Sequence, residues 1–211
     1  MKLRNWCVCG WLWLAPVAWA GPVVGLVAEP EDVAEQYRAQ ARAAGRSAAA
    51  SELVCQPAFD SIHFCLTLHP EGAVRWRYGT KADLTDWADA MTALGVAEAT
   101  GRNVDILSRM QTKKVEGTSH EYWASSEDDG LDAAPLLQPG RLMKLVGGPP
   151  VVAVPAQGVV IAWLPGHPER DQILAVGVRR MHDAAEHPIS PRIYRWDGKR
   201  WVVWGEVTAG Q

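Results

Sequence analysis

The densest group of chemically capable side chains is the stretch MHDAAEHP, residues 181–188, which sets His182, Asp183, Glu186 and His187 inside eight positions. Histidine and carboxylate are zinc ligands, so the first chemistry to weigh is metal-assisted hydrolysis. Metal motifs on a helix space their ligands three or four residues apart, which brings both to one face. On a wheel of about 100° per residue His182 and His187 fall about 140° apart. One regular helix therefore cannot bring both to one ion. The same wheel gathers Leu174, Gly177, Val178, Met181 and Ala185 into a buried stripe. It pairs His182 with Glu186, and Asp183 with His187, across single turns of a solvated face. Solvated pairs at a helix end are the favoured reading. The alternative is a metal-dependent hydrolase of the cell envelope using His182 and Glu186, with a third ligand from His120 or His167.

Other groups that could do chemistry resolve more simply. His63 and His69 lie on one polar strand face but about 20 Å apart, so they cannot share an ion and read as solvated. Ser125 to Gly130 is acidic, but its carboxylates are consecutive where calcium loops place them at every second residue. It reads as a solvated turn. Gly45-Arg46-Ser47-Ala48-Ala49 is half of a nucleophile elbow, without the closing glycine or a preceding strand. No catalytic, cofactor-binding or metal-binding residue is assigned, and no cofactor is expected.

The first twenty residues, MKLRNWCVCGWLWLAPVAWA, carry Lys2 and Arg4, then an uncharged apolar run, then Ala18-Trp19-Ala20. That is the anatomy of a secretory signal peptide with cleavage after Ala20, which places the mature protein in the periplasm or outside the cell. Removing 20 of the 211 residues leaves 191, enough for one well-cored domain. All 24 acidic residues remain, against 19 of the 21 basic ones, for a net charge near −5. No basic run is present, which argues against nucleic acid and anionic membranes as partners. No second long apolar segment follows, so no stable membrane insertion of the mature chain is expected.

Cys55 and Cys65 outlast the leader. In an exported chain such a pair reads as a disulfide. Two strand-like segments, Glu52 to Gln56 and Ile62 to His69, flank them, and a hairpin centred on Asp60 sets position 55 opposite position 65, within bridging reach.

These groups need elements to hold them. Residues 30–44 read as a helix that Pro30 opens and Gly45 closes, followed by a connector to residue 50. Residues 51–211 read as a single α+β domain with a mixed, largely antiparallel sheet of hairpins flanked by helices. Ile62, Phe64, Leu66 and Leu68 give one strand a core face, and Ala73 to Tyr78 returns as the next. Lys81 to Met110 is helical with a break near Gly95 or Gly101, and Thr80 or Asp83 caps it. His120 to Ala124 is a short strand. Asp132 to Val146 is helical with a break at Pro139-Gly140. Residues 151–163, VVAVPAQGVVIAW, form two apolar strands central to the sheet. Pro168 to Glu186 is the last helix. Asp197-Gly198 is a two-residue hairpin signal that sets Tyr194 opposite Trp201.

The pieces ADLTDWADAMTALGVAEATGRNVDILSRM, DAAPLLQPGRLMKLVGGPPVVAVPAQGVVIAW and the DGKRW hairpin, spread over residues 80–204, resemble an uncharacterised family of bacterial proteins of unknown function. The likeness rests on a helix carrying Asn103 and Leu107 and on a V-A-V-P strand that turns into a second apolar strand. Members often carry an aspartate after the turn; here the turn reads Gln157-Gly158. The resemblance implies a mixed α/β domain and no particular reaction.

The functional expectation is a soluble, exported, non-catalytic protein that binds a protein or glycan partner. Its positive signal is seven tryptophans beyond the leader: Trp76, Trp87, Trp123, Trp163, Trp196, Trp201 and Trp204. Some of these could stack on a ligand, while core and hairpin anchoring is the ordinary role for each.

Overall fold

The alternation from Ile62 to His69 is the period of a strand with two different faces. In the computed structural model, which describes residues 23–69, 75–87, 89–127 and 129–206, that strand organises the N-terminal half. In chain order the elements are β1 (Val23–Pro30), α1 (Val33–Ala43), β2 (Cys55–Phe59), β3 (Ile62–His69) and β4 (Arg77–Tyr78). Then follow α2 (Ala90–Asn103), α3 (Ile106–Arg109), β5 (Gln111–Lys114), β6 (Glu121–Ser125), α4 (Ala134–Leu137) and α5 (Pro139–Val146). The chain continues through β7 (Val151–Ala153), β8 (Val160–Trp163), α6 (Pro168–Ala184), β9 (Arg192–Trp196) and β10 (Trp201–Glu206). The expected leader, residues 1–20, lies outside the described residues, as do positions 73–74 of the expected strand over residues 73–78.

The class is α+β, and every strand pair among the described residues is antiparallel. The strands divide into two sheets. In the first, β3 lies between β1 and β2, and β4 also pairs with β3; the second runs β10-β9-β7-β8-β6-β5. The apolar pair β7 and β8 is central, as expected. Val24, Leu26, Ala28, Phe64 and Leu66 of the first sheet share one core with Val152, Ala162, Tyr194 and Trp201 of the second and with buried residues of α2 to α5. A smaller cluster covers the far face of the second sheet, where Leu174 and Val178 of α6 meet Val151, Ile161, Trp163 and Ile193.

Several boundaries depart from the sequence reading. Residues 23–30 form β1, and Pro30 closes that strand rather than opening α1, which begins at Val33. The breaks in the 81–110 stretch fall between Trp87 and Asp89 and at Val104 and Asp105, not at Gly95 or Gly101. Asp89 and Asp105 each accept a backbone N–H there and so start new helices. Gly101 sits inside α2, where a Cβ would come 2.6 Å from Leu137 Cδ1. The last helix ends at Ala184. Met181 is exposed rather than part of the buried stripe, which Leu174 and Val178 supply. In the C-terminal hairpin Trp201 pairs with Trp196, and Tyr194 with Val203. The loop is longer by two residues because Asp197 Oδ1 accepts both Lys199 N and Arg200 N, which winds the chain through Gly198 at φ 102°. The parity is unchanged, so each side chain keeps its face.

The acidic turn is docked at Asp129 and Gly130, while Ser126 and Glu127 remain exposed. Arg109, 8% exposed, grips Asp129 through two hydrogen bonds of 2.6 Å and adds an ion pair with Glu127. Thr67 Oγ1 donates to Gly130 O, and the His69 ring bonds Asp129 O, so His69 is engaged and not simply solvated. A side chain at position 25 would meet Gly130 O at 2.4 Å, and Gly130 itself sits at φ 76°. Glycine is needed at both places for this approach.

Cys55 and Cys65 face each other across β2 and β3 and are bonded. An irregularity between Pro57 and Phe59 takes up one residue, which is what brings 55 rather than 56 opposite 65. Reducing this bridge, or replacing both cysteines with serine, is expected to lower stability by about 2–3 kcal/mol, the loop-closure value for a separation of 10 residues. Chemical denaturation with and without dithiothreitol measures it; overlapping curves would show that the bridge contributes nothing.

Candidate functional site

The outer face of the first sheet carries Gly25, Val27 and Glu29 on β1, His63, Cys65, Thr67 and His69 on β3, and Tyr78 on β4, which pairs with Thr67. By alternation this face reads as the polar, solvent side. In the structure Val27, Cys65 and Thr67 are fully buried and Glu29 is 3% exposed. A buried carboxylate needs partners. The Tyr78 hydroxyl donates to Glu29 Oε1 at 2.5 Å, and the Gln157 amide donates to the same oxygen at 2.7 Å. The amide also lies 2.7 Å from the Tyr78 oxygen. Two segments far apart in the chain thus converge on the Glu29 carboxylate.

Each partner has a local reason to be there. Gln157 occupies the β7–β8 turn, where Gly158 takes φ 76°. Its backbone N–H donates to His187 O, and Ala156 bridges to Pro188. Tyr37 on α1 packs edge-on against Tyr78 with ring centres 6.0 Å apart, and Trp76 does so at 5.3 Å. Arg46 reaches back to the Tyr37 hydroxyl. Arg77 is held by Asp83 in a two-pronged pair.

Around this centre opens a cleft of about 830 Å³, with Glu29 at its floor. Tyr37, Trp76 and Tyr78 line it as an aromatic row. Gln36, Gln157, Arg46 and Arg77 add polar groups, and Glu186, His187 and Pro188 form part of its wall. Large concave sites with a few convergent polar groups are where ligands bind.

The MHDAAEHP stretch therefore splits. His182 lies on the last turn of α6, where its Nδ1 is 3.0 Å from Asp183 Oδ1, and Arg179 pairs with the same carboxylate four residues on. Those two contacts hold the Asp183 carboxyl below its usual range. Glu186 and His187 fall beyond the helix end and face the cleft. Neither His182 nor Glu186 belongs to a group of three closely placed ligand side chains among the described residues. His120 and His167, by contrast, do come together, with Glu169 as a third member.

The tryptophans divide as well. Trp163 and Trp201 are buried, Trp87, Trp123 and Trp196 pack partly against the core, and Trp204 is 41% exposed. Trp76 lines the cleft. Glu29 has no motif to announce it. Its one signal is a carboxylate closing the otherwise uncharged run VVGLVA.

No protein-family model, no curated protein and no solved structure matches this chain. Function is read from the cleft itself.

Replacing Glu29 with alanine would leave the Gln157 amide and the Tyr78 hydroxyl without their shared acceptor. A loss of about 1–3 kcal/mol is expected in urea unfolding, with Glu29→Gln losing less because an acceptor oxygen remains. Equal losses in the two variants would show that the shared acceptor does not matter. A second prediction concerns Asp83 beside the cleft. Burial alone would raise its carboxyl, but the Arg77 guanidinium and the Thr80 N–H and O–H outweigh it and pull the value from 3.8 to about 2. Lowered in the folded state, it stabilises above pH 4, and that contribution is lost as pH falls from about 4 towards 2. Unfolding of Asp83→Asn should depend less on pH across this window than wild type; parallel curves would refute the assignment.

Proposed function

We propose that the protein is an exported, non-catalytic binding protein of the cell envelope, and that it holds a glycan in the Glu29 cleft. The observation that carries this reading is the convergence of the Tyr37–Tyr78–Trp76 row with buried Glu29 and its Gln157 partner in one cleft. Sugars present an apolar C–H face on one side and hydroxyls at their edge. Aromatic rings with one wet side suit the first. A carboxylate and an amide fixed in place suit the second, because a hydroxyl both donates and accepts. The cavity exceeds the volume of one sugar ring and leaves room for a short oligosaccharide.

Export is supported by the leader-like first twenty residues and by the Cys55–Cys65 bridge, a bond of oxidising compartments. No helix among the described residues is long and apolar enough to cross a membrane. The absence of a basic run argues against nucleic acid.

Tryptophan fluorescence titrated with neutral oligosaccharides and peptidoglycan fragments tests the reading. Saturable quenching is expected, weakened about tenfold or more, some 1.4 kcal/mol, by Trp76→Ala. Mass spectrometry of the recovered sugar should show it intact. No response to any fragment would refute glycan binding, and cleaved product would refute the non-catalytic part.

A further inference from the structure

The start of α6 gathers a second set of side chains. β6 pairs with β8 through Trp123↔Ala162, Ala124↔Ile161 and Ser125↔Val160. Extended three residues back from Trp123, that register sets His120 opposite position 165, two residues before His167. The two imidazole centres are 4.0 Å apart. Glu169, in the first turn of α6, joins them, and one ligand atom from each of the three lies within 4.8 Å of the others. Among the described residues no hydrogen bond or ion pair engages these three side chains.

Both backbones that carry the histidines are fixed. His120 N donates to Thr118 Oγ1, and its carbonyl accepts from Val115 N. Gly166 N and His167 N both donate to Asp171 Oδ2, at 2.7 and 3.2 Å. Asp171 is in turn tied to the core, because its Oδ1 accepts the indole N–H of Trp163, a fully buried residue. The loop that presents His167 is thus anchored through one carboxylate to the centre of the second sheet.

We propose that His120, His167 and Glu169 bind one divalent transition-metal ion of the zinc class. Two imidazole nitrogens and one carboxylate oxygen are the ligand chemistry of such ions, and not of calcium or magnesium, which take oxygen. Around a tetrahedral ion ligand atoms stand about 3.3–3.5 Å apart. Side-chain rotation at the surface closes the present spacing to that value. Three protein ligands leave a fourth position for water or an exogenous group. This site is independent of the Glu29 cleft. The 17-residue α6 spans about 25 Å, with the histidine pair at its start and the cleft residues Glu186 and His187 beyond its end.

Calorimetric titration of the tag-free, metal-stripped protein with Zn²⁺ is the test. One ion per chain is expected, with a Kd below about 100 µM. His120→Ala and His167→Ala should each weaken binding about tenfold or more, while His182→Ala leaves it unchanged. Circular dichroism checks that each variant is folded, and Glu169→Gln stands in, with the same expected weakening, for any histidine variant that is not. Binding weaker than that Kd overturns the proposal. So does binding that both His120→Ala and His167→Ala leave intact, or binding lost in His182→Ala.

Discussion

The pairing of β1 along the whole of β3 is the interaction on which the other parts depend. Its eight matched positions run from Val23↔His69 to Pro30↔Ile62. One face of β1 gives Val24, Leu26 and Ala28 to the shared core. The other gives Gly25, against which Gly130 and Leu131 pack, and Glu29, the floor of the cleft. The Leu26 carbonyl also accepts Ala133 N at the entrance to α4. A slip of one residue would exchange the two faces, burying Glu29 in the apolar core and turning Leu26 towards the cleft. Burial of both faces fixes the register and with it the site.

The site in turn depends on the two sheets holding their mutual position. Glu29 and Tyr78 come from the first sheet, while Gln157 comes from a turn of the second. Tight links reinforce this geometry elsewhere. Arg192 on β9 holds the Asp60 carboxylate at the β2–β3 turn at 2.8 and 2.9 Å, and the Tyr194 hydroxyl reaches the same group. Phe59 stacks edge-on against Tyr194, with ring centres 5.0 Å apart. Burial of Asp60 would raise its carboxyl, but Arg192 and Tyr194 outweigh that and keep it low and charged in the fold. Together these contacts make the spacing between Glu29 and Gln157 a property of the whole core rather than of one loop.

Legibility followed locality. The cross-strand cysteines, the central strands from 151 to 163, the helix break at Pro139 and the final hairpin all rest on spacing within about fifteen residues, and periodicity reads that well. β1 was hidden because a strand covered on both faces shows no alternation. The polar face of β3 misled for a related reason: Thr67, His69 and Cys65 look solvent-facing, yet Thr67 bonds Gly130 O, the His69 ring bonds Asp129 O and Cys65 is bridged to Cys55. Glu29 and Gln157 are 128 residues apart, and no local pattern joins them. The same holds for His120 and His167, which meet through the β6–β8 register.

The two ends of α6 show how one helix can separate two chemistries. Its first turn carries Glu169 and Asp171, and its last carries His182, an arrangement that suits the positive N-terminal and negative C-terminal ends of the helix dipole. Asp171 spends its carboxylate on the backbone N–H groups of Gly166 and His167 and so orients the histidine pair. At the other end Ala184 is the last helical residue, and beyond it His187 accepts from Gln157 N and Pro188 bridges to Ala156. That path takes His187 off the helix face where it would have faced Asp183 and makes it part of the cleft wall. The density of His, Asp and Glu in MHDAAEHP is therefore a coincidence of chain order: half belongs to a helix end, and half to the wall of a site whose floor lies more than 150 residues earlier.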